Sequence, residues 1–119
     1  MAENVIKNKS FAFAIRVVKL YQFLCETKKE YVISKQLLRS GTAVGALVRE
    51  AEHAESKADF SHKMSIAQKE INENIYWLEL LKETDYLTNE QFQSIYADAV
   101  EIIKLLTSII KSTKANINN

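Results

Sequence analysis

Residues 56–81 read SKADFSHKMSIAQKEINENIYWLELL, a stretch that shows both where a helix begins and which face of it is buried. Ser56 and Asp59 form a capping box, in which the serine oxygen and the carboxylate accept hydrogen bonds from otherwise unpaired amides at the helix start. Apolar residues then recur every three or four positions, at Phe60, Met64, Ala67, Ile71, Ile75, Leu78 and Leu81. The stretch predicts a long helix with one face in a core.

Three more helices are predicted around this one. The first runs from about Ser10 to Thr27 and the second from about Ser34 to Glu55, while the fourth starts at a second capping box at 88–91 and ends near Lys114. The connections, near residues 28–33, 53–56 and 86–88, are short, and short loops make neighbouring helices antiparallel. We therefore predict an all-α fold, an antiparallel up-down-up-down four-helix bundle over residues 10–114, with flexible tails at 1–9 and 115–119.

Composition excludes several classes of protein. The 119 residues suit one domain, and 47% hydrophobic with 26% charged residues is typical of a globular chain. There are two glycines and no proline, too few turn residues for a strand-rich fold. A formal net charge of +1 provides no strong overall field for nucleic acid or membrane, and charged residues interrupt every apolar run before it reaches membrane-spanning length. With a single cysteine and no secretion signal, we expect a cytoplasmic protein that has no disulfide and no membrane contact.

No group of residues forms a recognisable active site. Glu50 with His53, and Asp59 with His62, have the i, i+3 spacing used by di-iron bundles. Glu50 and His53 lie opposite the apolar stripe of their helix, and the first and fourth helices place no glutamate in their apolar arcs. Cys25 has no neighbouring histidine that would activate it. We therefore expect a protein that is not an enzyme and that binds no metal and no cofactor.

The first and fourth helices carry more apolar surface than one core requires. In the first, one stripe contains Phe11, Ala14, Ile15, Val18 and Cys25, and a second contains Phe13, Val17, Leu20 and Leu24. Each apolar arc spans roughly 220°, whereas one core needs only somewhat more than 100°. A neighbouring subunit would cover the excess, and the predicted interface residues are Phe13, Val17, Leu20, Leu24, Ile102, Leu106 and Ile109. One alternative is a monomer with a broad core. Another is that the stripe assigned here to the interface forms the core and the other stripe forms the interface.

Two features of the second and third helices predict close packing. Gly41 and Gly45 lie within one helix, where each glycine costs about 1 kcal/mol relative to alanine, so a close approach of another helix is the expected compensation. A binding surface made of exposed backbone is the less favoured interpretation. Asn74 interrupts the inner stripe of the third helix, where a buried amide that finds a partner can determine the register of packing.

Basic residues gather on two helices and are the candidate contacts for RNA. Lys35, Arg39 and Arg49 lie on the polar side of the second helix, and Lys104, Lys111 and Lys114 on the fourth. Because the net charge is small, binding would depend on individual phosphate contacts and would weaken strongly with salt.

The second and third helices resemble the signature of the four-helix-bundle proteins named after the 23S rRNA intervening sequence. The matching segments, within a resemblance that covers about residues 11–111, are QLLRSGT (36–42), GA (45–46), REA (49–51), SKADF (56–60), HK (62–63), Ala67, KE (69–70) and YWL (76–78).

This resemblance implies an up-down bundle that assembles as a homopentamer, encoded in some members within insertions of ribosomal RNA genes. A related bundle, the accessory variability protein of diversity-generating retroelements, binds nucleic acid through a strongly basic barrel, from which the near-neutral charge here departs. No catalytic residue is implied. We hypothesise a non-enzymatic homo-oligomeric scaffold that binds RNA or an RNA-processing protein; the alternative is a purely structural or protein-interaction module with no nucleic-acid role.

Overall fold

The computed structural model describes residues 2–118, which fold into four helices joined by short loops. These are α1 (Ala2–Glu26), α2 (Ile33–Ala51), α3 (Lys57–Glu83) and α4 (Asn89–Asn118). Each helix packs against the helices next to it in the chain and α4 returns to α1, whereas within the described range the diagonal pairs α1–α3 and α2–α4 make no backbone contact. The predicted antiparallel four-helix bundle is confirmed, as a rod of 51 × 22 × 20 Å.

Three helix ends differ from the sequence-based boundaries. α1 begins at Ala2, within the expected tail, because Ile6 continues the buried stripe of Phe13 and Val17 and is fully buried. α2 ends at Ala51, where the amides of His53 and Ala54 bond back to the carbonyls of Glu50 and Ala51 at 3.0 and 3.1 Å in a turn. α4 runs on to Asn118, although residues 115–117 are exposed; Met1 and Asn119 lie outside the described residues.

Both predicted capping boxes are present. Ser56 Oγ accepts the amide of Asp59 at 3.0 Å, and the Asp59 carboxylate accepts the amide of Glu55 at 3.2 Å. At the start of α4, Thr88 Oγ1 accepts the amide of Gln91 at 3.1 Å while Gln91 Oε1 accepts the amide of Thr88 at 2.9 Å. Both boxes satisfy amides that the first turn of a helix leaves unpaired.

The start of α2 is capped by a buried carboxylate that sequence reasoning did not identify. Glu30 accepts the amides of Val32, Ile33 and Ser34 at 3.1, 3.0 and 2.7 Å, and its own carbonyl accepts the Ser34 hydroxyl at 2.8 Å. Burial alone would raise the pKa of Glu30, but the hydrogen bonds from these amides outweigh it, so the pKa lies below the ordinary value of 4.5. Glutamate is absent from the usual capping residues, which is why its role was missed.

Replacing Glu30 with alanine should lower the free energy of unfolding by about 1–2 kcal/mol at neutral pH, because three amides at the start of α2, that of Ser34 fully buried, lose their acceptor. Since the folded-state pKa is lowered, this contribution is complete above the pKa of the unfolded chain and is lost as the pH falls through the folded-state pKa. Urea denaturation across a pH series tests this, with Glu26→Gln at an exposed position as the control. A difference between wild type and Glu30→Ala that persists undiminished in strong acid would contradict it.

The two glycines of α2 lie where other helices come closest, which confirms the close-packing interpretation. A Cβ on Gly41 would lie 2.7 Å from both γ-carbons of Val17 and 2.8 Å from Asn74 Nδ2; a Cβ on Gly45 would lie 3.3 Å from the Ser10 carbonyl oxygen. Asn74 is fully buried and finds partners, since its Nδ2 donates to the Leu37 carbonyl at 2.9 Å and to Ser40 Oγ at 3.1 Å. This side chain therefore ties the middle of α3 to the middle of α2.

Candidate interaction surfaces

The core stripe of α1 is the one that the sequence-based prediction assigned to the subunit interface. Six of the seven predicted interface residues are buried within the protomer: Phe13, Val17, Leu24, Ile102, Leu106 and Ile109. The seventh, Leu20, is half-buried against the core beside the α1–α4 groove. The predicted interface is therefore corrected, because these side chains already have apolar neighbours inside one chain.

Contacts on both sides of α1 determine which stripe faces inward. On the α2 side, the backbone of Ser10 packs against Gly45. On the α4 side, Arg16 donates to the Asp98 carboxylate at 2.7 Å and to Ser94 Oγ at 2.9 Å. With these two sides occupied, Phe13 and Val17 point into the bundle and the opposite stripe points out.

The outward stripe of α1 exposes three large apolar side chains. Phe11, Ile15 and Val18 are 52%, 43% and 37% exposed, at the i, i+4, i+7 spacing of one helix face. We refer to these three residues as the α1 strip. The guanidinium carbon of Arg49 on α2 lies 4.9 Å from the centre of the Phe11 ring, so the strip lies on the α2 side of α1.

The broad apolar arc of α4, in contrast, is internal. Its side chains are buried at Phe92, Ile95, Ala99, Ile102, Leu106, Ile109 and Ile110. Ile103 is half-buried. The excess apolar surface of α4 is therefore part of a broad core. In α1, by contrast, the excess apolar surface is exposed on the protomer.

A second apolar surface lies on α3. Tyr76 is 57% exposed and stacks edge-on against the half-buried Trp77, with 4.9 Å between ring centres. Ile66 and Leu80 are half-buried on the same helix; these four residues form the α3 strip. Trp77 Nε1 lies 3.5 Å from Glu73, which pairs with Arg39 of α2, so this strip lies on the α2 side of α3.

The six basic residues predicted to contact RNA do not form one patch. Lys35, Arg39 and Arg49 are on α2, and the other three are on α4, diagonally across the bundle. Arg39 is paired with Glu73 and lies 3.3 Å from Glu70, so its charge is balanced within the protomer. Lys104, Lys111 and Lys114 are all exposed on α4. The predicted contacts therefore lie on two separate helices of the bundle.

The carboxylates of the two carboxylate–histidine pairs take part in an ion pair and a helix cap. Glu50 lies 3.3 Å from Lys63 Nζ, Asp59 caps α3, and both histidines are exposed. Within residues 2–118, no three His, Cys, Asp or Glu side chains are grouped closely enough to hold a metal ion. Nor does any helix in that range have the length and apolarity needed to span a membrane.

The comparisons with known proteins agree with the fold. The family model of the 23S rRNA-intervening sequence protein matches residues 2–108. A crystal structure of a protein of unknown function from the S23 ribosomal protein family of Bacteroides thetaiotaomicron is similar, with 59% sequence identity and a TM-score of 0.92. The match covers 93% of this chain and 99% of that one. The comparison with curated proteins found no match.

Proposed function

The chain belongs to the family of 23S rRNA-intervening sequence proteins, and on that premise we propose that it is a non-enzymatic homo-oligomeric scaffold with RNA as its partner. The observation that carries the proposal is the α1 strip. Three large apolar side chains, each more than one-third exposed, lie in a row on one face of a helix that is otherwise packed on two sides. Covering the exposed part of each such side chain contributes on the order of 1 kcal/mol.

The surface that covers the α1 strip is the α3 strip of the next copy. Val17 and Asn74 both lie against Gly41, so the middle of α1 and the middle of α3 are at the same height in the bundle. The α1 strip, residues 11–18, extends from that height toward the N-terminus of α1, and the α3 strip, residues 66–80, spans the same height. Copies placed side by side with parallel axes would therefore bring the two strips to the same level.

The directions of the two strips favour a closed ring. The α1 strip faces outward beside α2, and the α3 strip faces outward from the other side of α2, so they lie on adjacent sides of a four-sided bundle. If each copy contacts the next through two of its faces that are roughly at a right angle, the ring of copies closes after about four or five members. This range includes the pentamer that the family resemblance implies.

RNA is preferred to a purely structural role because of the family and because α4 carries exposed cations that no carboxylate neutralises. Lys104, Lys111 and Lys114 take part in no ion pair within the described part of the chain.

Light scattering of the purified protein at micromolar concentration tests the oligomer. We expect a single species larger than one chain, because burial of the α1 strip is repeated at every contact, and the family resemblance implies a mass about five times 13.6 kDa. A stable mass of 13.6 kDa across the concentration range would contradict the proposal and leave the α1 strip as ordinary exposed surface.

A further inference from the structure

The seam between α3 and α4 differs in charge from the other three seams of the bundle. Ion pairs join α1 to α4 at Lys9–Glu101 and Arg16–Asp98, and α2 to α3 at Arg39–Glu70 and Lys63–Glu50; Lys7–Glu52 joins α1 to the end of α2. Across the α3–α4 seam the polar link is a neutral one, in which Gln68 Nε2 donates to Thr107 Oγ1 at 2.7 Å. At one end of the seam Lys82 of α3 lies over the Phe92 ring of α4, 5.0 Å from its centre, whereas among residues 2–118 Lys104, Lys111 and Lys114 form no ion pair across the seam.

The two segments that form the lower part of this seam contain no carboxylate side chain. Residues 60–69 of α3 and residues 102–118 of α4 carry no aspartate and no glutamate. On the α4 segment, Lys104, Lys111 and Lys114 supply three positive charges. A chain that is close to neutral overall therefore has one side with a concentrated positive charge, which attracts a polyanion locally.

Two shallow grooves with lysine and hydroxyl groups side by side lie along this side of the bundle, the first on α4 alone and the second between α3 and α4. One, of about 390 Å³, is lined by Ile103, Lys104, Thr107, Ser108 and Lys111. The other, of about 290 Å³, is lined by Ala58, Ser61, His62, Ser65, Lys114 and Ile117. Ammonium and hydroxyl groups are among the side-chain groups that donate to phosphate oxygens. Ser108 is exposed, and the Thr107 hydroxyl accepts from Gln68, so its own proton can be donated.

We propose that the α3–α4 seam binds the phosphodiester backbone of RNA, with Lys104 and Lys111 as the main contacts and the hydroxyls of Thr107 and Ser108 between them. The two lysines are seven residues apart, about 10 Å along the helix. Contacts of this kind hold the backbone without reading base sequence. The inference rests on the proposed RNA partner and specifies where that partner binds.

Assembly leaves this seam free. The α1 strip faces outward between α1 and α2, on the side of the bundle opposite α3 and α4, and the α3 strip lies toward α2. Neither proposed contact surface includes a lysine of the seam. Each copy in an oligomer would present the same basic seam, so several weak sites would bind one RNA together more tightly than one site alone.

The experiment measures binding of the full-length protein to a fluorescein-labelled RNA hairpin, and to the same sequence kept single-stranded, over a range of salt concentrations. The variant Lys104→Gln/Lys111→Gln is compared with Lys28→Gln/Lys29→Gln, which removes the same net charge from exposed positions away from the seam. Light scattering and circular dichroism of both variants verify that the assembly and the helices are retained.

We expect the seam variant to lose about tenfold or more in affinity for RNA near physiological salt, and the slope of log affinity against log salt to fall by about 1.4 on the single strand, as two phosphate contacts are removed. The control variant should lose no more than about twofold. An equal loss in both variants would overturn the inference, because net charge alone would then explain binding, and so would an unchanged seam variant.

Two further outcomes separate this inference from the proposed function. If the wild-type protein binds RNA while the seam variant binds it equally well, RNA remains the partner and only the location is wrong. If the wild-type assembly binds no RNA at low salt, the RNA part of the proposed function fails together with the inference. Binding of polyglutamate in place of RNA would also overturn it, since the seam would then take an acidic protein.

Discussion

Replacing Ile15 with glutamate is expected to dissociate the assembly into 13.6 kDa chains that keep their helices. Ile15 is 43% exposed in the middle of the α1 strip, so a glutamate there remains solvated in the free protomer. In the oligomer the same carboxylate would be buried against apolar side chains without a partner, which costs several kcal/mol at every contact. Light scattering measures the mass of the particle, and circular dichroism measures the helix content of the chain.

Ala97→Glu serves as the matched control for Ile15→Glu. Ala97 is exposed on α4, outside both strips, and the substitution adds the same charge to a helix surface. It should leave the mass unchanged. If Ala97→Glu dissociates the assembly equally well, or if Ile15→Glu leaves the assembly intact, the α1 strip is not the contact surface.

The sequence-based interface prediction would suggest Leu20→Glu, but this substitution tests the stability of the protomer rather than the contact between copies. Leu20 packs against the protomer core, beside Ile95 in the α1–α4 groove. Glutamate at this position should therefore lower the free energy of unfolding of the chain itself. A lower mass in that variant would not distinguish loss of contact from loss of fold.

Replacing Gly41 with leucine is expected to destabilise the fold by about 4 kcal/mol or more, which for a domain of this size removes much of the folded population. Even a Cβ at this position would lie 2.7 Å from Val17 and 2.8 Å from Asn74. Val17 is stiff because it is β-branched, and Asn74 is held by Leu37 and Ser40, so neither can move aside cheaply. A leucine would force α1 away from α2.

The measurement for Gly41→Leu is the urea midpoint followed by circular dichroism, with Ala46→Leu as the control on the same helix. Ala46 is exposed, so the same side chain should be accommodated there within about 0.5 kcal/mol. The Gly41→Ala protein should be destabilised less than the Gly41→Leu protein. Its side chain is smaller, and a gain of about 1 kcal/mol in helix propensity offsets part of the steric cost. A Gly41→Leu protein as stable as wild type would show that the helices are not closely packed at this point.

Much of the fold was predictable because its signals are local. Each capping box needs only residues three or four apart in the chain, and both boxes form as expected. The small residues at 41 and 45 predicted close packing correctly, because a mid-helix glycine is costly unless something approaches it. Glu30 was missed because its role depends on burial and on three amides at once, which no spacing in the sequence reveals.

The candidate surfaces were predicted less well. In α1 the two stripes are both apolar and both have helical spacing, so periodicity describes them equally and cannot say which one faces inward. The basic residues of α2 and α4 likewise look equivalent in sequence. Arg39 has carboxylate partners only because α3 brings Glu70 and Glu73 beside it, and those residues are more than thirty positions away in the chain.

The sequence by itself therefore determined the number of helices, the caps of α3 and α4 and the presence of more apolar surface than one core requires, since these depend on neighbours within a few residues. The tertiary structure decided the rotation of α1, through Arg16–Asp98 on one side and Ser10–Gly45 on the other. It also decided which lysines remain unpaired, because α3 and α4 meet along segments that contain no carboxylate. Both outcomes depend on which residues of distant segments come together, and only packing supplies that information.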